Sequence, residues 1–151
     1  MFVLHLHQET LIPSLQTIME KSEKLHYLEN EYVELWVEDG VIYEVFKPGT
    51  VMNLEAGKKV VADRLKVSNR TVMPLFVDMR QLININQETR RFMASKDAVH
   101  YLSAGAFLVK GMLTRLVFNT FLIISTPRIP TKGFTDKEKA LTWLKYVRNV
   151  N

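Results

Sequence analysis

The stretch MPLFVDMRQLININQETRRF, residues 73–92, decides the fold class. It opens with an apolar run as long as a buried strand, and Pro74 stands near its start, where a missing N–H does least harm. The run ends at Asp78, and a polar segment leads to Asn86, which suits the cap of a following helix. This order is typical of an α/β protein, in which ligands gather at the carboxyl ends of the strands.

On the amino-terminal side, YVELWVEDGVIYEVFKPG (residues 32–49) contains two runs in which apolar and polar residues alternate. Asp39 and Gly40 separate the runs, and Gly readily takes the positive φ that a tight hairpin turn requires. We therefore expect residues 32–38 and 41–46 to form antiparallel strands.

The rest of the chain alternates between helix and strand. Residues 53–69 predict a helix that Asn53 caps, and Gly57 in it would permit a close approach of another element. The later elements are a helix over Gln87–Leu102, a strand in AGAFLVKG (104–111), a helix over MLTRLVFNTFLIIS (112–125), a strand at the end of PRIPTKGF (127–134) and a last helix with a capping box of Thr135 and Glu138. This order predicts a mixed, mostly parallel sheet that an antiparallel hairpin opens and helices cover.

The chain divides at about residue 30. Residues 30–150 contain no repeat and no linker, so we expect them to form one α/β domain. Residues 1–29 differ, because Leu11, Leu15 and Ile18 fall near helical spacing. They predict a helical appendage that needs a surface to pack on.

Composition excludes several classes of function. The 151 residues are 47% hydrophobic and 24% charged and include no Cys, which rules out disulfides and thiol nucleophiles and suits the cytoplasm. The net charge of +4 comes from Lys and Arg spread along the chain, which favours a solvated surface over nucleic-acid binding. No apolar run reaches the ~20 residues of a membrane span. His5 and His7 lack a nearby third ligand, so we expect neither a metal nor a cofactor.

Five segments together resemble uncharacterised bacterial proteins with a SpoIIAA-like, or STAS-like, fold. They are EDG (38–40), VDMR (77–80), AGAFLVKG (104–111), FNTF (118–121) and PTKGFTDKEKALTWL (130–144). The likeness covers roughly residues 31–147. It implies a regulatory or binding domain that acts through a protein partner or a small anionic ligand.

One departure from that family concerns its switch. The best-known members are anti-sigma-factor antagonists, in which a partner kinase phosphorylates a Ser at the start of a helix in an Asp-Ser-Ser-Gly-like turn. The corresponding stretch here, ININQETRR (83–91), has no Ser, and Thr89 is its only hydroxyl. We therefore expect a non-enzymatic domain that lacks this phospho-switch.

Candidate ligand-binding residues lie around the end of the strand that Asp78 closes. Asp78 and Arg80 point the same way in an extended segment, so Arg80 could bind an anion while Asp78 positions it. The favoured alternative is that Asp78 only caps the following turn. Glu88 and Arg90 open the next helix, whose N–H groups suit an anion. An enzyme with a site on these four residues is the alternative function, and the lack of an activated nucleophile speaks against it.

The helix MLTRLVFNTFLIIS is apolar on nearly all sides. Its apolar side chains cannot all face one sheet, because successive helical positions advance by roughly 100°. We therefore predict a homodimer interface, with the amino-terminal helix as the competing cover. The interface candidates are Leu116, Phe118, Phe121 and Ile124.

Overall fold

The computed structural model describes residues 15–19 and 25–150. Residues 15–19 are helical (α1), as the spacing of Leu15 and Ile18 predicts, and both of these side chains are exposed. Leu11, His5 and His7 lie outside the described residues.

Within the described residues, six strands form the main sheet and two short strands form a second one. The strands are β1 Leu25–Glu29, β2 Val33–Glu38, β3 Val41–Phe46, β4 Thr50–Met52, β5 Met73–Asp78, β6 Leu82–Ile85, β7 Leu102–Leu108 and β8 Thr131–Phe134. The further helices are α2 Leu54–Val67, α3 Gln87–Met93, α4 Lys96–Val99, α5 Met112–Ser125 and α6 Lys137–Val150. The main sheet has the order β1-β2-β3-β5-β7-β8, and β4 pairs with β6.

The predicted hairpin is confirmed. Strands β2 and β3 pair antiparallel with Val37 opposite Ile42, and the turn between them has φ of 50° at Asp39 and 73° at Gly40. Two successive positive φ angles are the signature of the primed turn that matches the twist of the flanking strands. The alternation of apolar residues and the residues of the turn therefore indicate the same hairpin.

The mostly parallel arrangement beyond the hairpin is also confirmed. Strands β3, β5, β7 and β8 are parallel neighbours, so their carboxyl ends meet along one side of the sheet, here called the carboxyl edge. Asp78 lies there between Val45 of β3 and Leu108 of β7. Pro74 is the second residue of the buried central strand β5, as expected.

The alternation of β5 separates two layers of core. Leu75 and Val77 face a cluster that contains Val60 of α2, whereas Phe76 faces a cluster that contains Leu144 of α6. Helix α5 lies on the α2 side, because the rings of Phe118 and Phe107 pack there with centroids 5.2 Å apart. Helices therefore cover both faces of the sheet.

Gly57 makes the close approach that the sequence predicts. A Cβ at this position would lie 2.9 Å from Cγ2 of Thr89 and 3.5 Å from Cδ1 of Phe92. Helix α3 therefore packs directly on the backbone of α2. The predicted caps are confirmed as well, because Asn53 Oδ1 accepts from Ala56 N and Asn86 Oδ1 accepts from Thr89 N, both at 2.9 Å.

Three strands fall where the sequence did not predict them. Leu25–Glu29 pairs with β2 as β1, although this segment was expected to belong to a helical appendage. Leu82–Ile85 forms β6 in a stretch read as a loop before a helix, and it pairs with Thr50–Met52 (β4), which was not predicted either. All three strands are short and join the fold through tertiary pairing, which local alternation alone reveals poorly.

The helix predicted over Gln87–Leu102 is wrong in its extent. Ser95 takes an extended backbone and its Oγ accepts from Ala98 N at 3.3 Å, so α3 ends at Met93 and α4 begins anew. Leu102 already belongs to β7. A Ser side chain that competes for backbone N–H groups favours such a break.

The capping box predicted at the start of α6 is also wrong. Asp136 caps this helix, because its Oδ1 accepts from Lys139 N at 2.9 Å and its backbone oxygen accepts from Ala140 N. A carboxylate outcompetes the neutral hydroxyl of the neighbouring Thr135, because its hydrogen bonds to backbone N–H groups are charge-assisted.

Candidate functional site

Asp78 and Arg80 form a closed pair at the carboxyl edge. Arg80 donates from Nε to Asp78 Oδ1 at 3.0 Å and from Nη2 to Oδ2 at 2.7 Å. The backbone N–H of Arg80 also donates to Asp78 Oδ1 at 3.1 Å, which is the turn-capping contact that the sequence favoured. Asp78 thus ends its strand, and its carboxylate also forms a bidentate ion pair with the guanidinium of Arg80.

The charges around Asp78 favour its ionised form. Burial raises the pKa of the carboxyl, but hydrogen bonds from the Arg80 side chain and backbone and the charges of Arg80 and Lys137 outweigh burial, so the pKa is lowered. Lys137, which the sequence analysis did not single out, has its Nζ 5.7 Å from the ring centroid of Tyr43 and 6.0 Å from that of Phe76. An ionised, paired carboxylate is a poor general acid or base near neutral pH.

Glu88 and Arg90 lie exposed on α3. This short helix packs against α2, which covers the face of the sheet opposite to the one that Phe76 and α6 share. Within residues 15–19 and 25–150, no hydrogen bond or ion pair joins Glu88 or Arg90 to Asp78 or Arg80. Of the four candidates, Asp78 and Arg80 thus bind each other, whereas Glu88 and Arg90 are separate exposed side chains.

Thr89 is sequestered. It is fully buried, its Oγ1 donates to Asn86 Oδ1 at 2.6 Å, and its methyl group lies against Gly57. A protein kinase needs an accessible hydroxyl, and reaching this one would require α3 to separate from α2.

A buried ion pair lies in the core and was missed by the sequence analysis. Arg64 of α2 donates from Nη1 to Glu44 Oε2 of β3 at 3.2 Å and from Nη2 to the carbonyl oxygen of Ala98 at 2.8 Å. The two side chains are only 4% and 1% exposed. The sequence did contain a signal that Glu44 is buried, because Glu44 shares a strand face with the apolar Ile42 and Phe46.

The first turns of α5 expose large apolar side chains. Met112 is 66% exposed, Leu113 is 75% exposed and Leu116 is also exposed. Of the interface candidates, Phe118 is instead half-buried against Phe107. Phe121 and Ile124 belong to α5, but their side chains lie outside what the structure describes.

In residues 15–19 and 25–150, no group of three or more His, Asp or Glu side chains is arranged to hold a metal ion. Over those ranges, no helix has both the length and the apolar character that a membrane crossing requires.

Comparison with known proteins identifies a family and a fold. A family described as "Domain of unknown function (DUF7793)" matches residues 35–148. Among solved structures, the chain is similar to an uncharacterised protein of the DUF3478 family with a SpoIIAA-like fold from Shewanella loihica PV-4, with a TM-score of 0.55 and 15% identity. The match covers 78% of this chain and 98% of that one, and it confirms the SpoIIAA-like fold. No protein with a curated description matches.

Proposed function

We propose that this chain, which belongs to the DUF7793 family, is a non-enzymatic binding domain that acts through a protein partner. The observation that carries the proposal is the exposed apolar surface on the first turns of α5, where Met112 and Leu113 are 66% and 75% exposed. Contiguous exposed apolar patches are small on monomeric proteins, and larger ones mark interaction sites.

The ionisable groups support binding over catalysis. The carboxylate of Asp78 is held by Arg80, and the buried Glu44 is paired with Arg64. An enzyme built on Asp78 would need it poised to exchange a proton or to attack a substrate. A small anionic ligand, the other expected partner class, would have to displace Asp78 from Arg80. The geometry therefore favours a protein partner.

The proposed domain works without the phospho-switch of the anti-sigma-factor antagonists. The stretch that corresponds to their switch has Thr89 as its only hydroxyl, and this hydroxyl is buried and hydrogen-bonded to Asn86. Regulation by phosphorylation at this site would require local unfolding of α3.

A second copy of the chain is the first partner to consider. Two α5 helices related by a twofold axis would place the same apolar side chains against each other, as an isologous interface requires. A standard interface buries about 800 Å² on each partner, so neighbouring surfaces would have to contribute as well. Val51 of β4 and Ile83 of β6 are exposed apolar residues in segments that leave the same carboxyl edge as α5.

Hydroxyl-radical footprinting tests the proposal. The full chain would be oxidised once as dilute purified protein and once in an extract of its native cells. We expect oxidation of Met112 and Leu113 to fall in the extract. Val72, which is 61% exposed just before β5 at the opposite edge of the sheet, should be oxidised equally in both. Equal oxidation of Met112 in both samples would contradict the proposal.

A further inference from the structure

An open depression of about 480 Å³ lies between α6 and the last strand, β8. It is separate from Asp78, Arg80, Glu88 and Arg90, none of which lines it. Its lining includes Lys132 and Phe134 of β8 and Glu138, Lys139, Trp143 and Tyr146 of α6.

The depression follows from the position of α6 on the sheet. Ala140 and Leu144 are fully buried in the cluster that contains Ala104 and Ala106 of β7, so the inward stripe of α6 lies over β7. The stripe that begins at Lys139 and continues at helical spacing lies toward β8, the last strand of the sheet. Since no described residue forms a strand beyond β8, this flank of the helix overhangs an open space.

Aromatic rings line this space. The rings of Phe134 and Trp143 pack with centroids 5.7 Å apart and an interplanar angle of 51°. Tyr146, one turn further along α6, is 65% exposed. Rigid aromatic side chains offer a large contact area at low entropic cost, which is why they are enriched in binding surfaces.

The charge of the lining is positive. Two lysines and one glutamate give a net charge of +1 (2 − 1), and Lys132 Nζ lies 5.4 Å from the ring centroid of Phe134. The lysines can therefore pair with carboxylates next to a ring that enters the depression. Glu138 would repel a continuous phosphate backbone, whereas a peptide can place its carboxylates away from it.

Backbone pairing with an added strand is blocked at Gly133 of this edge. Asn119 of α5 accepts from Gly133 N through Oδ1 at 2.7 Å and donates from Nδ2 to Gly133 O at 3.4 Å. These contacts occupy the outward backbone groups of Gly133 in β8. A partner at β8 would therefore be recognised through its side chains rather than through backbone pairing.

We infer that this depression binds an acidic peptide segment of a partner protein, with one aromatic side chain stacked against Trp143 and Tyr146 and flanking carboxylates paired with Lys132 and Lys139. The inference rests on the proposed function as a binding domain but uses another surface. The depression lies on the α6 face of the sheet, and α5 covers the opposite face.

The test is a titration of the ¹⁵N-labelled full chain, followed by NMR. The probe is a seven-residue peptide with one Phe between two runs of three acidic residues. We expect amide shifts confined to residues 131–134 and 138–147. Tyr146→Ala and Lys139→Glu should each raise Kd by about tenfold or more. Lys145→Glu, a matched charge reversal on the same helix outside the depression, should change Kd by no more than about twofold.

Three further probes decide what is recognised. A peptide with amides in place of the carboxylates and a peptide with Ala in place of Phe should both bind at least about tenfold more weakly. A ten-nucleotide oligothymidylate should not compete. Equal binding of the amide peptide, tighter binding of the oligonucleotide, shifts elsewhere or no binding at millimolar peptide would each overturn the inference. If the peptide does not bind but Met112 is protected from oxidation in the extract, this inference is wrong and the proposed function is still supported.

Discussion

The carboxylate of Glu44 and the guanidinium of Arg64 meet at 3.2 Å between β3 and α2, where almost no water reaches either group. The same arginine donates at 2.8 Å to the carbonyl of Ala98, at the end of α4. One side chain thus links the central sheet, the helix that covers it and the segment that precedes β7. This pair therefore stabilises the fold, and ligand recognition falls to residues at the surface.

Breaking the pair on one side should destabilise the fold strongly. Arg64→Ala leaves a buried carboxylate without its partner, so we expect the free energy of unfolding to fall by about 3–5 kcal/mol. Urea denaturation followed by circular dichroism measures the change.

Replacing both partners with apolar residues of similar size is the control. Glu44→Leu with Arg64→Met removes both charges, so it should recover at least about half of the loss. A double variant as unstable as Arg64→Ala would contradict this account. It would show that the ion pair itself stabilises these elements, and that the unpaired carboxylate of Glu44 is not the cause of the loss.

The pH dependence of stability should reveal the burial of Glu44. Burial raises the pKa of its carboxyl, and Arg64 opposes this shift without cancelling it. At pH values between its ordinary and its raised pKa, Glu44 keeps in the folded state a proton that the unfolded chain has released, so its contribution to stability falls as pH rises above about 4.3. The difference in unfolding free energy between wild type and Glu44→Gln should thus decrease from pH 4 to pH 7. An increase would contradict this assignment.

Asp78 should show the opposite trend. Its pKa is lowered, so its contribution is present above the ordinary value of about 3.9 and is lost as the pH falls through the lowered value. Asp78→Asn should cost about 1 kcal/mol at pH 7, since the half-exposed Arg80 is screened by solvent. The cost should shrink below about pH 4. Denaturation curves at several pH values measure it, and a cost that stays constant down to pH 2 would count against the pairing.

Asn119 should protect the outer edge of β8. Asn119→Ala removes both contacts to Gly133, so we expect a loss of about 1–2 kcal/mol and faster hydrogen exchange of the Gly133 amide. Asn119→Asp keeps an acceptor for that amide and should preserve most of its protection. Unchanged exchange in Asn119→Ala would show that another group satisfies Gly133.

Local signals predicted much of the fold. The hairpin at Asp39 and Gly40, the buried strand that ends at Asp78 and the bounds of α5 depend on alternation, turn chemistry and apolar runs within about fifteen residues. The predictions that were wrong concern features that depend on tertiary pairing or on competition between neighbouring residues to cap a helix. β1, β4 and β6 are strands because partners lie beside them, and Asp136 displaced the predicted Thr135 cap.

The site was predictable in part. Capping of the turn by Asp78 followed from residue type and spacing, as did the exposure of apolar residues on α5. The depression beside β8 was not predictable in this way, because it depends on how far α6 overhangs the sheet. Glu44 could have been found, since a carboxylate between two inward apolar positions of a strand must be buried with a partner.

Sedimentation velocity tests most directly the central claim that the exposed apolar surface of α5 is a contact surface between two copies of the chain. The first partner to test is a second copy of the chain, so wild type should sediment as a dimer at high micromolar concentration. Leu113→Glu should sediment as a folded monomer, because a carboxylate in the interface would lose its hydration. Val72→Glu, a substitution at an exposed apolar residue of the opposite edge, should remain dimeric. A wild-type protein that stays monomeric at that concentration, or a Leu113→Glu variant that stays dimeric, would contradict the assignment of α5 as the self-association surface.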